Sequence, residues 1–223
     1  MKGPQVAVVA LSDGRPGVGA CVESLDRHVT GNIVERWMHD DSGDRRFRDG
    51  LVVTHPGWVH VGEGPRRGFT GMMRHVRELV WKNTTADYVF WVEADFVVTR
   101  RVDLDAIVRV LDGNPQIAQM ALVRQACNPV EKAAGGVVES WPHRYVDRSD
   151  GISDWLEHRL FWTCNPHVAR ASELRKEWPD RPGSEEAYGR VLFRDPLVTC
   201  GYWGRRGDGP WCTHVGQQIG TGY

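Results

Sequence analysis

The order strand, helix, strand at the start of the chain limits its fold more than any other feature. QVAVVALSDGRPG is a short apolar run that closes in loop-forming residues. GVGACVESLDRHV then places Val18, Cys21, Val22 and Leu25 at helical spacing, and NIVERWMHDDSGD reads as a second strand ending in an acidic turn. A β-α-β opening predicts an α/β fold, a mostly parallel sheet with helices on both faces. Residues 51–61, LVVTHPGWVHV, read as one or two short strands broken at Pro56-Gly57. GFTGMMRHVRELVWKN is the clearest helix, with Phe69, Met72, Met73, Val76, Leu79 and Val80 on one stripe. Asp103 is placed to cap a helix carrying Leu104, Ile107, Val108 and Leu111; IAQMALV is a further strand and SEEAYGRVLF a late helix. From about 124 to 160 no period is visible, and the glycine-rich tail from Gly201 reads as loop.

The strand Tyr88–Val92 runs directly into Glu93 and Asp95. Their i, i+2 spacing turns both carboxylates to one side of an extended segment, where they meet either solvent or a cation. Ser12-Asp13 and Asp40-Asp41 also follow predicted strands. In an open α/β sheet, ligands collect outside the carboxyl ends of the strands, so all three sets share one rim.

Bulk properties exclude several classes. At 223 residues the chain reads as one domain, and a net charge of −1 gives no global field toward nucleic acid or an anionic membrane. Basic clusters at Arg45, Arg46, Arg48 and at Arg66, Arg67 read first as solvated faces. Five scattered cysteines without a CxxC argue against a disulfide framework. Cys200, Cys212 and His214 lie near one another in sequence but match no zinc spacing. The apolar run Val6–Leu11 is too short for a signal-peptide core or a membrane span, so a cytoplasmic protein is expected.

Taken in order, these segments resemble nucleotide-sugar-dependent glycosyltransferases of the GT-A fold, especially the large inverting family 2. VAVVALSDGRP, WMHDDSGD, GFTGMMRHVRELVW and ADYVFWVEADF match that family's successive motifs across residues 1–98. GSEEAYGR resembles its segment carrying the catalytic base, and THVG its late metal-binding histidine. The sequence departs from the pattern at Glu-Ala-Asp in place of Asp-x-Asp, at Glu-Glu in place of Glu-Asp, and at Arg74 where the family often has Asn.

The resemblance implies a nucleotide-sugar-binding half, 1–98, and an acceptor-binding half, 99–223, ending in the C-terminal loop. It implies a Mn²⁺ or Mg²⁺ ion and a UDP- or GDP-linked sugar. Asp95 is the expected direct ligand, Glu93 a ligand through water or a partner for a sugar hydroxyl, and His214 a third ligand. Asp40 and Asp41 are expected to take the nucleobase, or to form an Asx-type turn on their own backbone. Ser12, Asp13 and Arg15 are further nucleotide contacts, and Arg67 and Arg74 phosphate partners near a helix start. Glu186, or its neighbour Glu185, is the candidate base; the alternative is a first-turn carboxylate favoured by the helix dipole. Arg205 and Arg206, in GRRGDGPW, are a candidate lid over the diphosphate or a surface loop.

The acceptor is left open among a protein hydroxyl, a glycan and a modified DNA base. Short stand-alone enzymes of this kind occur in bacteriophages, which would place the protein in a host cytoplasm. Two other classes compete. A sugar nucleotidylyltransferase would also bind nucleotide and metal, but the first loop has no GxGTR-like sequence. A non-enzymatic carbohydrate- or nucleotide-binding module would use the aromatic residues without needing carboxylates on three strand ends. GRPGVGA is neither a dinucleotide fingerprint nor a P-loop.

Overall fold

A computed structural model describes residues 3–216 of the chain. The first half runs β1 (Val6–Ser12), α1 (Val18–His28), β2 (Val29–Thr30), β3 (Ile33–Asp40), α2 (Arg45–Thr54), β4 (Val59–Val61) and α3 (Gly68–Val76), which continues through a π-helical turn, then β5 (Tyr88–Glu93) and β6 (Phe96–Val98). The second half runs β7 (Val102–Asp103), α4 (Leu104–Gly113), β8 (Ile117–Leu122), α5 (Pro129–Ala134), β9 (Val146–Ser149), β10 (Asp154–His158), β11 (His167–Arg170), α6 (Ala171–Leu174), α7 (Ser184–Leu192), β12 (Thr199–Trp203) and β13 (Cys212–His214).

Nine strands form one sheet in the order β4-β3-β1-β5-β11-β8-β12-β10-β9. The strands β4, β3, β1 and β5 are mutually parallel, as the opening pattern requires. Beyond β5 the sheet becomes mixed: β11 is antiparallel to both β5 and β8, β12 is parallel to β8, and β10 and β9 are antiparallel again. β8, reached through α4, and β12 still run parallel to β5; the departure comes from β11, inserted antiparallel between β5 and β8, and from β10 at the edge. Register fixes the functional rim: Ser12 pairs with Asp40 and Leu11 with Glu93, so β1, β3 and β5 end at the same height.

Every residue of β1 is buried, which fits a central strand covered on both faces. In β5, Tyr88, Phe90 and Val92 enter the core that includes residues of α1 and α4, while Val89 and Trp91 enter the core that includes residues of α3, α6 and α7. Trp81, Trp91, Trp162 and Trp178 fill the second core, so these tryptophans are packing residues rather than a sugar-stacking surface.

Three stretches differ from the sequence expectation. Residues 45–54 form a helix, so LVVT is its last turn and not a strand. The Asp44 side chain accepts from the Arg46 and Phe47 N–H groups, a cap that contributes about 1 kcal/mol and outweighs the local β preference of two valines. The aperiodic region 124–160 contains α5, with an Asn128/Glu131 capping box, and the β9–β10 hairpin. The tail contributes β12 to the main sheet, and β13 pairs with β6. Among the described residues no helix is long and apolar enough to cross a membrane, and all five cysteines are free.

Burial also holds three imidazoles in their neutral form. His39 is lowered from 6.5 to about 3 by burial, then by His75 and Arg67; His158 is lowered to about 3 and His167 to about 4, chiefly by burial. The unfolded chain binds these protons from pH 6.5 downward and the folded chain does not, so their stabilisation is complete above pH 6.5 and is lost as pH falls toward 4. At pH 5 each costs about 2 kcal/mol. His158→Phe should therefore flatten the fall in Tm between pH 7 and 5; an unchanged slope would count against this account.

Candidate active site

The rim of β1, β3 and β5 opens into a cleft of about 130 Å³, closed on one side by the start of α3 and lined among others by Asp13, Arg15, Arg66, Phe69, Glu93 and Asp95. Asp95 lies in the two-residue turn between β5 and β6. Because β13 pairs with β6, His214 comes to face Asp95 across 119 residues of sequence: imidazole Nε2 lies 3.1 Å from Asp95 Oδ2. Arg15 Nη1 is 3.7 Å from the same oxygen. The charges continue outward, with Arg15 Nε 2.8 Å from Asp13 and Arg66 Nη2 3.0 Å from Asp13.

Asp95 Oδ1 is buried and, among the described residues, has no hydrogen-bond partner. A shielded carboxylate oxygen without a donor is costly, and a cation is the simplest group to satisfy it. The donor set, one carboxylate with an adjacent imidazole, fits Mn²⁺ or Mg²⁺ sharing its shell with phosphate and water oxygens. Gly216 packs over Asp95 so closely that a Cβ there would stand 2.4 Å from Oδ2.

Glu93 is buried. Its pKa is raised well above the carboxylate range, by burial first and then by Asp95, Glu185 and Asp13, with Arg15 pulling the other way. Its carboxyl lines the cleft two residues before Asp95. Glu185 completes the cluster from α7. Its Oε1 accepts the Cys164 N–H at 2.6 Å, and its charge helps to raise both Glu93 and the Cys164 thiol. Thr70 and Ser184 share a hydroxyl bond of 3.0 Å, tying the start of α7 to α3.

Other expected residues sit differently. Glu186 is exposed and paired with Arg190 one turn on, at 2.5 Å, so it faces solvent. Asp40 forms the Asx-type turn, accepting from the Ser42 N–H at 3.1 Å and hydroxyl at 2.7 Å. Asp41 lines the cleft, but its two oxygens cap α3: Oδ1 takes the Arg67 N–H and Oδ2 the Gly68 N–H, both at 3.0 Å. Both carboxylates are thus engaged by backbone donors. The Ser12 hydroxyl is likewise turned inward, accepting the Gly14 N–H at 3.2 Å.

The Arg67 guanidinium binds the Pro65 and Glu63 carbonyls, and Arg74 pairs with Asp180 outside the cleft. Arg66, noted only as part of a basic cluster, lines the cleft together with Arg15. Arg205 and Arg206 bind Asp154 and Asp147 on the β9–β10 hairpin at the far edge of the sheet, so they brace that hairpin and do not lie over the cleft. Cys200 is buried within the second core, packed away from Cys212, which belongs to the first, so the pair forms no thiolate site with His214.

The chain matches no family model and no curated protein in sequence. Solved structures share its fold at low identity. S. aureus TarS 1–349, in complex with UDP-GlcNAc, aligns with a TM-score of 0.63 and 12% identity over 96% of this chain and 59% of that one. The mannosyltransferase PcManGT from Pyrobaculum calidifontis, in complex with GDP-Man and Mn²⁺, aligns with a TM-score of 0.63 and 14% identity over 99% and 59%. CMP:2-keto-3-deoxy-manno-octonic acid synthetase, in complex with CTP, aligns with a TM-score of 0.53 and 13% identity over 92% and 93%. The chain thus spans about three-fifths of the two glycosyltransferases it matches, and its fold is that of the GT-A glycosyltransferases.

Proposed function

We propose that this protein transfers a sugar from a nucleoside diphosphate, UDP or GDP, to a hydroxyl acceptor with inversion. The observation that carries this reading is the approach of His214 and Arg15 to Asp95 at the cleft, with Glu185 near enough to act on Glu93 beside it. Asp95 and His214 would hold the divalent ion. When bound, that ion neutralises the charge that develops on the departing diphosphate. Arg15 and Arg66 face the cleft as partners for phosphate oxygens, and Glu93 offers a hydrogen bond to a sugar hydroxyl.

Glu185 is the base. As the acceptor oxygen bonds to the anomeric carbon, the bond to the diphosphate breaks, the hydroxyl proton passes to Glu185, and the negative charge leaves on the phosphate. The Cys164 N–H holds Glu185 Oε1 and fixes the carboxylate's position. Residues 1–98 supply most of the donor side, while the acceptor, a protein, a glycan or a modified DNA base, is expected to meet the half that carries Glu185.

The test is calorimetry with UDP, GDP, CDP and TDP, each with Mn²⁺ and with excess EDTA. Binding of one diphosphate in Mn²⁺ and not in EDTA is the expected result. Metal-independent binding, or none, would return the protein to a carbohydrate- or nucleotide-binding module. The two-way coverage with the CTP-bound synthetase keeps a nucleotidylyltransferase as second reading, and pyrophosphate release from a nucleoside triphosphate plus a free sugar would favour it.

A further inference from the structure

Gln125 follows β8 in the stretch where the sequence has no period. Its carboxamide closes two bonds on the main chain of His214: Nε2–H donates to the His214 carbonyl at 2.9 Å, and Oε1 accepts the His214 N–H at 2.8 Å. A side chain here supplies the bonds that a neighbouring strand would make. The next residue, Val215, donates its N–H to the Asp95 carbonyl at 2.7 Å, so the histidine is held between Gln125 and the Asp95 turn.

Gln125 is itself well anchored. Its N–H donates to the Cys212 carbonyl at 3.3 Å, and the Trp211 N–H donates to the Val123 carbonyl at 2.7 Å. Beside it, Arg124 makes paired bonds of 2.8 and 2.9 Å to Glu131, with both side chains nearly buried. Glu131 also accepts the Cys127 N–H at 2.8 Å and closes the capping box of α5. Residues 123–131 therefore make a stiff rail alongside β13, and Gln125 is where the rail grips the histidine.

We propose that Gln125 is a positioning residue that fixes the His214 backbone, so that imidazole and Asp95 meet a divalent cation as a preformed pair. This rests on the reading of Asp95 and His214 as cation ligands. Groups that orient a metal ligand without touching the metal typically change affinity by about 10- to 100-fold when replaced.

The experiment is Mn²⁺ titration by electron paramagnetic resonance, with UDP and separately with GDP, on wild type, Gln125→Ala, His214→Ala and the double variant. Folding is checked by circular dichroism and Tm. Gln125→Ala should weaken Mn²⁺ binding about tenfold or more, and add no loss when His214 is already Ala. The near-isosteric Gln125→Glu keeps an acceptor for the His214 N–H but loses the donor to its carbonyl; it should give an intermediate loss, and it carries the comparison if Gln125→Ala does not fold. Unchanged Mn²⁺ affinity, or the same loss in the His214→Ala background, would overturn the positioning role. A wild type that binds no Mn²⁺ with either nucleotide would overturn the ion site itself and this inference with it, a result distinct from the other two.

Discussion

In the Asp95→Ala variant, kcat/KM is expected to fall by about a thousandfold or more, and Mn²⁺-dependent nucleotide binding to disappear. A bound divalent ion contributes several kcal/mol to a transition state in which charge builds on phosphate, and each 1.36 kcal/mol is a factor of ten in rate. Asp95 is the carboxylate proposed to meet that ion, with one buried oxygen that no donor among the described residues satisfies. Asp95→Asn separates the anion from the shape: it keeps a polar group opposite His214 and Arg15 but cannot neutralise a cation, so it should lose nearly as much activity while holding Tm closer to wild type. Full activity in Asp95→Ala would show that the ion, if any, is held elsewhere.

Replacing Glu185 with Gln should slow transfer by about 10²- to 10⁴-fold, the usual contribution of a general base, while leaving donor binding near its wild-type value. Glu186→Gln should change kcat by less than about twofold, because an exposed pair such as Glu186–Arg190 contributes at most about 1 kcal/mol to stability and nothing to the cleft. Single-turnover transfer and calorimetry on the same two variants separate the chemical step from donor affinity. The reverse pattern, with Glu186 essential and Glu185 dispensable, would move the base to the solvent side of α7.

Adjacent helical residues point about 100° apart, and α7 packs through Ser184, Ala187, Tyr188 and Leu192. Glu185 precedes Tyr188 and Gly189 by three and four residues and so borders that packed side, whereas Glu186 stacks over Arg190. The i, i+4 pairing of Glu186 with Arg190 was visible in the sequence and marks the exposed face. Asp40 and Asp41 teach a related lesson. An Asp-Asp after a strand is compatible with a nucleobase contact and with capping, and only the tertiary structure brings the Ser42, Arg67 and Gly68 N–H groups onto these carboxylates.

The sequence alone determined the parallel half of the fold. Strands buried on both faces have to be apolar throughout, helices between them have to show a stripe, and the polar residues that end each strand have to fall on one rim. These are local constraints, readable within a window of a dozen residues. Tertiary structure decided which distant polar residues come together beside that rim. His214 reaches Asp95 only because β13 pairs with β6, Glu185 comes near Glu93 only because α7 packs beside α3, and Gln125 bonds the His214 backbone only because an aperiodic stretch lies along β13. Contacts across 89 to 119 residues leave no periodic trace in the chain, since each depends on where two distant backbones are brought together.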